Sequence, residues 1–209
     1  QQTGVDKTFG LQLTAGEEKI SLGNRVVGVD VLYNCRSRNI EVVGNKLKPN
    51  TRYYVFFENT DVTEYCTPKL LPITMTRGSF STSDIVRTSV ATQSVGNPQI
   101  KFRVAQLNHK FGDFKSPTVT YSADPYTLSP LGSSYSSTSA IVNLDTGDLA
   151  LLVDPSRSGW VRKGSVIANE SGTAEAVVNE LSLKSDEKGT LIFSLFIPDP
   201  KIRSNPKFT

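Results

Sequence analysis

Ile40-Glu41-Val42-Val43-Gly44-Asn45-Lys46-Leu47-Lys48-Pro49-Asn50-Thr51-Arg52-Tyr53-Tyr54-Val55-Phe56-Phe57-Glu58-Asn59-Thr60-Asp61 is the stretch that decides the fold class. The β-branched residues Ile40, Val42 and Val43 mark one strand. Gly44 and Asn45 permit a turn, and Pro49 fixes φ at a bend into the next segment. Tyr53 to Phe57 is almost wholly aromatic and β-branched, which predicts a second strand covered on both faces. Glu58-Asn59-Thr60-Asp61 then predicts a hairpin turn.

The same grammar continues in both directions. Upstream, Val26, Val27, Val29, Val31 and Tyr33 form a β-branched run. Downstream, short strands are expected near Ile73–Thr76, Ile85–Ala91, Val161–Ile167, Ala174–Leu183 and Leu191–Ile197. Ile100, Phe102 and Val104 alternate with Lys101 and Arg103, as on a half-buried strand. Asp148 to Val153 is the only short helical turn, because no window holds apolar residues at i, i+3, i+4 and i+7 over three turns. Pro117, Pro125, Pro130 and Ser133–Ser139 place a long Pro/Ser-rich arm or linker at residues 113–140.

Composition narrows the function classes. The chain has 209 residues, a formal charge of +3 and 37% hydrophobic residues. It is too apolar to be disordered, and no stretch approaches the roughly 18 apolar residues of a membrane-spanning helix. The small positive charge gives no nucleic-acid signature. Two cysteines, Cys35 and Cys66, are too few for a disulfide scaffold and read as packed thiols, with their pairing left open.

Catalytic constellations are thin. His109 is the single histidine, so any Ser-His-Asp or Cys-His arrangement must use it. It reads better as a turn or interface histidine than as a base. A four-ligand zinc site is not expected. Glu17-Glu18 and Asp186-Glu187 point apart along the chain, and Asp186-Glu187-Lys188-Gly189 reads as a hairpin turn. Asp145, Asp148 and Asp154 share one loop region without calcium-loop spacing. No phosphate-binding glycine motif occurs. We expect no enzyme and no cofactor. Four aromatics, Trp160, Tyr121, Tyr126 and Tyr135, are candidates for ligand or interface contacts, and a glycan platform would need them exposed together.

A resemblance adds to this reading. The run Arg38-Asn39-Ile40-Glu41-Val42, followed by Leu47-Lys48-Pro49-Asn50-Thr51 and onward to Tyr65-Cys66-Thr67-Pro68, resembles a module of long virion structural proteins of contractile-tailed phages of marine bacteria. Phe102-Arg103-Val104 with Asn108-His109-Lys110, Asp124-Pro125-Tyr126, Glu170-Ser171-Gly172-Thr173-Ala174 and Ser194-Leu195-Phe196-Ile197-Pro198 fit the same pattern in order. The likeness covers about residues 36–209. It implies an all-β fold, an immunoglobulin-like β-sandwich with an inserted smaller β unit. Residues 1–19 would be an arm or linker. Residues 20–69 plus 187–209 would form the discontinuous sandwich, and 70–186 the insertion. In that arrangement Leu191–Ile197 pairs with the N-terminal part and not with Ala174–Leu183.

The implied function is structural, in the tail, baseplate or fibre of the virion, by contacts with other virion subunits in trimeric or sixfold surroundings. No nucleic-acid or membrane partner is expected. The alternatives are a module binding a host surface glycan or receptor, and a bacterial surface adhesion protein. The absent start Met and the ending Lys207-Phe208-Thr209 suggest an excerpt of a longer polypeptide.

Overall fold

A computed structural model of the chain describes residues 37–57, 59–88 and 100–198. The run Val26–Tyr33, the pair Glu17-Glu18 and Cys35 lie outside the described residues. The described residues are predominantly β; the helical elements among them are a 3-10 turn, Thr63–Tyr65, and one turn of α-helix, Leu149–Val153, whose N-terminus is capped by the Asp148 side chain accepting from the Ala150 N–H at 3.2 Å.

The larger sheet has six antiparallel strands. Their spatial order is Ile141–Asn143, Leu70–Arg77, Glu175–Val178, Val166–Asn169, Ile85–Thr88 and Lys101–Arg103. The two outermost strands meet through a bridge between Val104 and Leu144. The Ala105 N–H donates to Asn143 O at 2.9 Å, and the Asp145 N–H to Arg103 O at 3.0 Å. The sheet thereby curls into a closed barrel, which removes its free edges. Period-two alternation fills the interior: Ile167, Ala176 and Val178 point in, while Val166, Ala168 and Val177 are half-buried. Leu71, Phe102, Val104, Leu144 and Val161 complete the apolar core, while Thr88 and Asn169 are buried at positions of the same parity as Val86 and Ile167.

The second sheet has three strands, with Leu191–Ile197 between Arg38–Gly44 and Cys66–Pro68. The register runs without a break from Arg38 opposite Ile197 to Gly44 opposite Leu191. Leu191–Ile197 thus pairs with the N-terminal part, whereas Glu175–Val178 pairs inside the barrel. Being covered on both faces, Leu191–Ile197 is a near-continuous apolar run interrupted only by Ser194. Its core includes Val62, Tyr65, Trp160, Leu195 and Phe196. The chain crosses from this sheet into the barrel at Lys69.

Several expected strands change shape. Tyr53 to Phe57 does not form one covered strand. Arg52–Tyr53 pairs with Leu183–Lys184, and Phe56–Phe57 pairs with Thr60–Asp61. The break falls where Val55 turns to a different partner: its N–H donates to Thr63 Oγ1 at 2.8 Å, and its carbonyl accepts from the Val62 N–H at 2.9 Å. Tyr54 and Phe56 stay 56% and 64% exposed. The expected strand Val161–Ile167 begins only at Val166, after a turn with Gly164 at φ +80°. Ala174–Leu183 splits into Glu175–Val178 and Leu183–Lys184.

Residues 113–140 are no free arm. Pro117–Thr120 pairs with His109–Gly112, and Leu107, Tyr121 and Ile141 form a small third cluster with Leu70. Tyrosines tie the Pro/Ser loop down: Tyr121 packs in that cluster, and the hydroxyls of Tyr126 and Tyr135 bond to backbone carbonyls.

Candidate functional site

The four candidate aromatics do not share an exposed face. Trp160 lies in the second core, its ring centroid 5.0 Å from that of Tyr65 and 5.1 Å from that of Phe196. Tyr121 is buried in the third cluster. The Tyr126 hydroxyl donates to Leu70 O (3.1 Å) and Ser182 O (2.9 Å), and the Tyr135 hydroxyl to Ala105 O (2.6 Å). Burial pushes all three tyrosine hydroxyls above their ordinary pKa. These rings are anchors of the loop and the second core and are not brought together on one exposed face.

The buried titratable groups gather where the barrel meets the second sheet. Lys110 Nζ donates to Asp186 Oδ2 at 2.5 Å, both side chains being 5% exposed. Asp186 Oδ1 accepts the N–H groups of Lys188 (3.0 Å) and Thr190 (2.7 Å), so every face of that carboxylate is used. Lys69 is 1% exposed, and its Nζ donates to Leu144 O at 2.9 Å. Burial lowers its pKa to about 8, against the raising pull of Asp145 and Glu41. Asn39 reaches across the same seam, its amide donating to Gly159 O and Ser194 Oγ and accepting from the Gly159 N–H, each at 2.8 Å. Thr67 Oγ1 accepts from the Val161 N–H at 3.2 Å.

His109 belongs to this seam. Its Nε2 donates to Gly112 O at 3.1 Å, and burial, reinforced by the Lys69 charge, lowers its pKa. The ring is therefore neutral, with Nδ1 buried and without a hydrogen-bond partner among the described residues. No hydroxyl, thiol or carboxylate among the described residues is hydrogen-bonded to it, which removes the geometry of an activated nucleophile. Asn143 spends its amide on Leu107 O and His109 O at 3.1 and 2.7 Å.

The remaining sequence candidates are satisfied locally. Cys66 is a buried free thiol facing Val62 O at 3.6 Å, its pKa raised by burial to about 12, the opposite of a reactive thiolate. Asp145 and Asp148 both accept from Arg103 Nη2, at 2.8 and 3.2 Å, and the guanidinium lies 3.9 Å from the Phe114 ring centroid. Asp154 is spent on Ser156. Among the described residues, no group of three or more His, Cys, Asp or Glu could hold a metal ion. A groove of about 290 Å³ opens between Leu107, Pro130, Leu131 and Ile141. Its one acid, Asp124, is committed to the Tyr126 N–H and the Thr127 hydroxyl.

No family model, curated protein or solved structure matches the chain. Function is therefore argued from the geometry.

The surface that stands out is the one the sequence predicted to be covered. Burial alternates along residues 52–56, with Tyr53 and Val55 half-buried against the second core and Arg52, Tyr54 and Phe56 exposed. The Arg52 guanidinium lies 5.1 Å from the Tyr54 ring centroid. Two large aromatic rings in water beside a rigid sheet are characteristic of a contact surface. Sequence reasoning missed it because a run of aromatics reads equally well as a core strand.

Proposed function

We propose that this chain is a structural component of a tailed-phage virion, in its tail, baseplate or fibre, working through protein–protein contacts. The observation that carries the reading is the exposed row Arg52–Tyr54–Phe56 on a body whose buried titratable groups are spent on internal structure. Such a body offers contact area and fixed geometry, and its described His109, Cys66, Lys69 and Asp186 are held by burial and internal hydrogen bonds. The ordered resemblance along residues 36–209 supplies the virion context. In this reading residues 20–69 and 187–209 form one immunoglobulin-like sandwich that residues 70–186 interrupt. The central position of Leu191–Ile197 between Arg38–Gly44 and Cys66–Pro68 supports that organisation.

Quantitative mass spectrometry of purified particles tests the proposal. Peptides from this chain are expected at a stoichiometry that is a multiple of three or six relative to the other tail proteins. Their absence from particles that are complete and infectious would sink it. Glycan recognition through Trp160, Tyr121, Tyr126 and Tyr135 loses its support, because those rings are taken up by packing and by backbone hydrogen bonds.

A further inference from the structure

The row at residues 52–56 is an open strand edge as well as an aromatic patch. In the hairpin Phe56–Phe57 and Thr60–Asp61, Phe57 opposes Thr60 and Phe56 opposes Asp61. The Val62 N–H bonds back to Val55 O, so Phe57 and Val55 carry the hairpin's hydrogen bonds, and the N–H and C=O of Phe56 point to the other side. Tyr54, two residues away, has the same parity, and its amide and carbonyl meet no partner among the described residues. Among the described residues, neither the side chains nor the outward backbone groups of Tyr54 and Phe56 are covered.

The cations at this edge are Arg52 and Lys184, and the acid is Asp61, which stands opposite Phe56 and whose Oδ1 accepts the Thr63 N–H at 2.9 Å. Lys184 stands directly opposite Arg52 in the ladder, a like-charge pair that costs stability unless an anion sits beside it. Neither Arg52 nor Lys184 enters an ion pair among the described residues.

We infer that this edge accepts an extended segment of another protein subunit, one in which acidic residues alternate with apolar ones, as an added strand. The inference rests on the assembly reading above and gives its partner a chemistry. Backbone groups of Tyr54 and Phe56 would supply the ladder, the two rings would cover the segment's apolar side chains, and Arg52 and Lys184 would meet its carboxylates. A second copy pairing antiparallel through the same edge would bring the two basic edges together, which disfavours self-association. Single-stranded nucleic acid would use the rings and the cations and leave the backbone groups unpaired, so it matches fewer of the features.

The test is fluorescence anisotropy on the whole chain. The probes are a labelled alternating Val-Glu peptide, its Val-Lys counterpart, and oligothymidylate. The Val-Glu peptide is expected to bind at least about tenfold more tightly than either other probe. The variant Tyr54→Ser with Phe56→Ser should lose about tenfold or more in affinity at an unchanged thermal midpoint, and Arg52→Glu should lose a similar factor. In the free chain the amides of Tyr54 and Phe56 should exchange with solvent as rapidly as unstructured amides.

Equal binding of the two peptides, undiminished binding by the double variant, or tighter binding of oligothymidylate would overturn the inference. So would slow exchange at those two amides, or self-association that the double variant abolishes. Loss of peptide selectivity in a chain still found in virions removes this edge and spares the assembly reading. A chain absent from virions that retains the selectivity does the reverse.

Discussion

Inside the barrel, Leu71, Val86, Phe102 and Val104 meet a lining of apolar side chains; where the barrel meets the second sheet, Lys69, Lys110 and Asp186 are buried as deeply. The two interiors solve different problems. Apolar burial stabilises in proportion to area and is indifferent to small slides between surfaces. A buried charge tolerates only the geometry that holds its partner, and its desolvation offsets much of what the pairing returns. The barrel core therefore sets how stable the fold is, and the seam sets how barrel and sheet are placed against one another.

The largest effect should come from the apolar side. Phe102→Ala empties a fully buried site and is expected to cost about 3–5 kcal/mol in urea denaturation. If it costs less than Asp186→Ala, the division of labour is wrong. Asp186→Ala strands the Lys110 ammonium and is expected to cost about 3 kcal/mol. Lys110→Met combined with Asp186→Asn, which keeps an acceptor for the Lys188 and Thr190 N–H groups, should return to within about 1 kcal/mol of the parent. A double variant as unstable as Asp186→Ala would show that the ion pair itself carries net stability.

Lys69 sharpens the contrast through pH. Its ammonium gives up its proton at about pH 8 in the fold and at 10.5 when unfolded. Between those values the unfolded chain binds more protons, so stability rises with pH. The gain is up to roughly 3 kcal/mol, at 1.4 kcal/mol per unit. Cys66 acts oppositely, since its thiol ionises near 9.0 when unfolded and about 12 in the fold, which lowers stability across that window. The comparison is therefore parent against Lys69→Met: between pH 8 and 10.5 the parent should gain on the variant, and parallel profiles would refute the burial of a charged lysine.

Asn39→Ala, which removes the seam's link to Gly159 and Ser194, should cost about 1–3 kcal/mol by thermal unfolding. Tyr54→Ser with Phe56→Ser should change stability by no more than about 0.5 kcal/mol, because both rings are already in water.

Much of the β architecture was legible in the residues. Leu191–Ile197 was readable to its end points because a strand covered on both faces is apolar throughout, and the short helical turn was readable because no longer window carries a helical period. The closure of the barrel was not readable, since it rests on one bridge between Val104 and Leu144 whose residues differ in no way from other strand ends. Nor was the seam: Lys110 and Asp186 lie 76 positions apart, and Asp186 in its turn looks like any turn aspartate. The contact edge was misread for a related reason. Composition says that Tyr54 and Phe56 suit a strand, and only the change of partner at Val55 decides which side they show.

The unbroken ladder from Arg38 and Ile197 to Gly44 and Leu191 also has a mechanical meaning. The chain enters the described span beside the place where it leaves, so a pull on residues 37 and 198 opens that ladder one pair at a time, from Arg38 inward. The barrel, threaded between Lys69 and Leu183, carries none of that tension until the ladder has parted. Under load the sheet behaves as a zip fastener and the barrel as cargo hung from it.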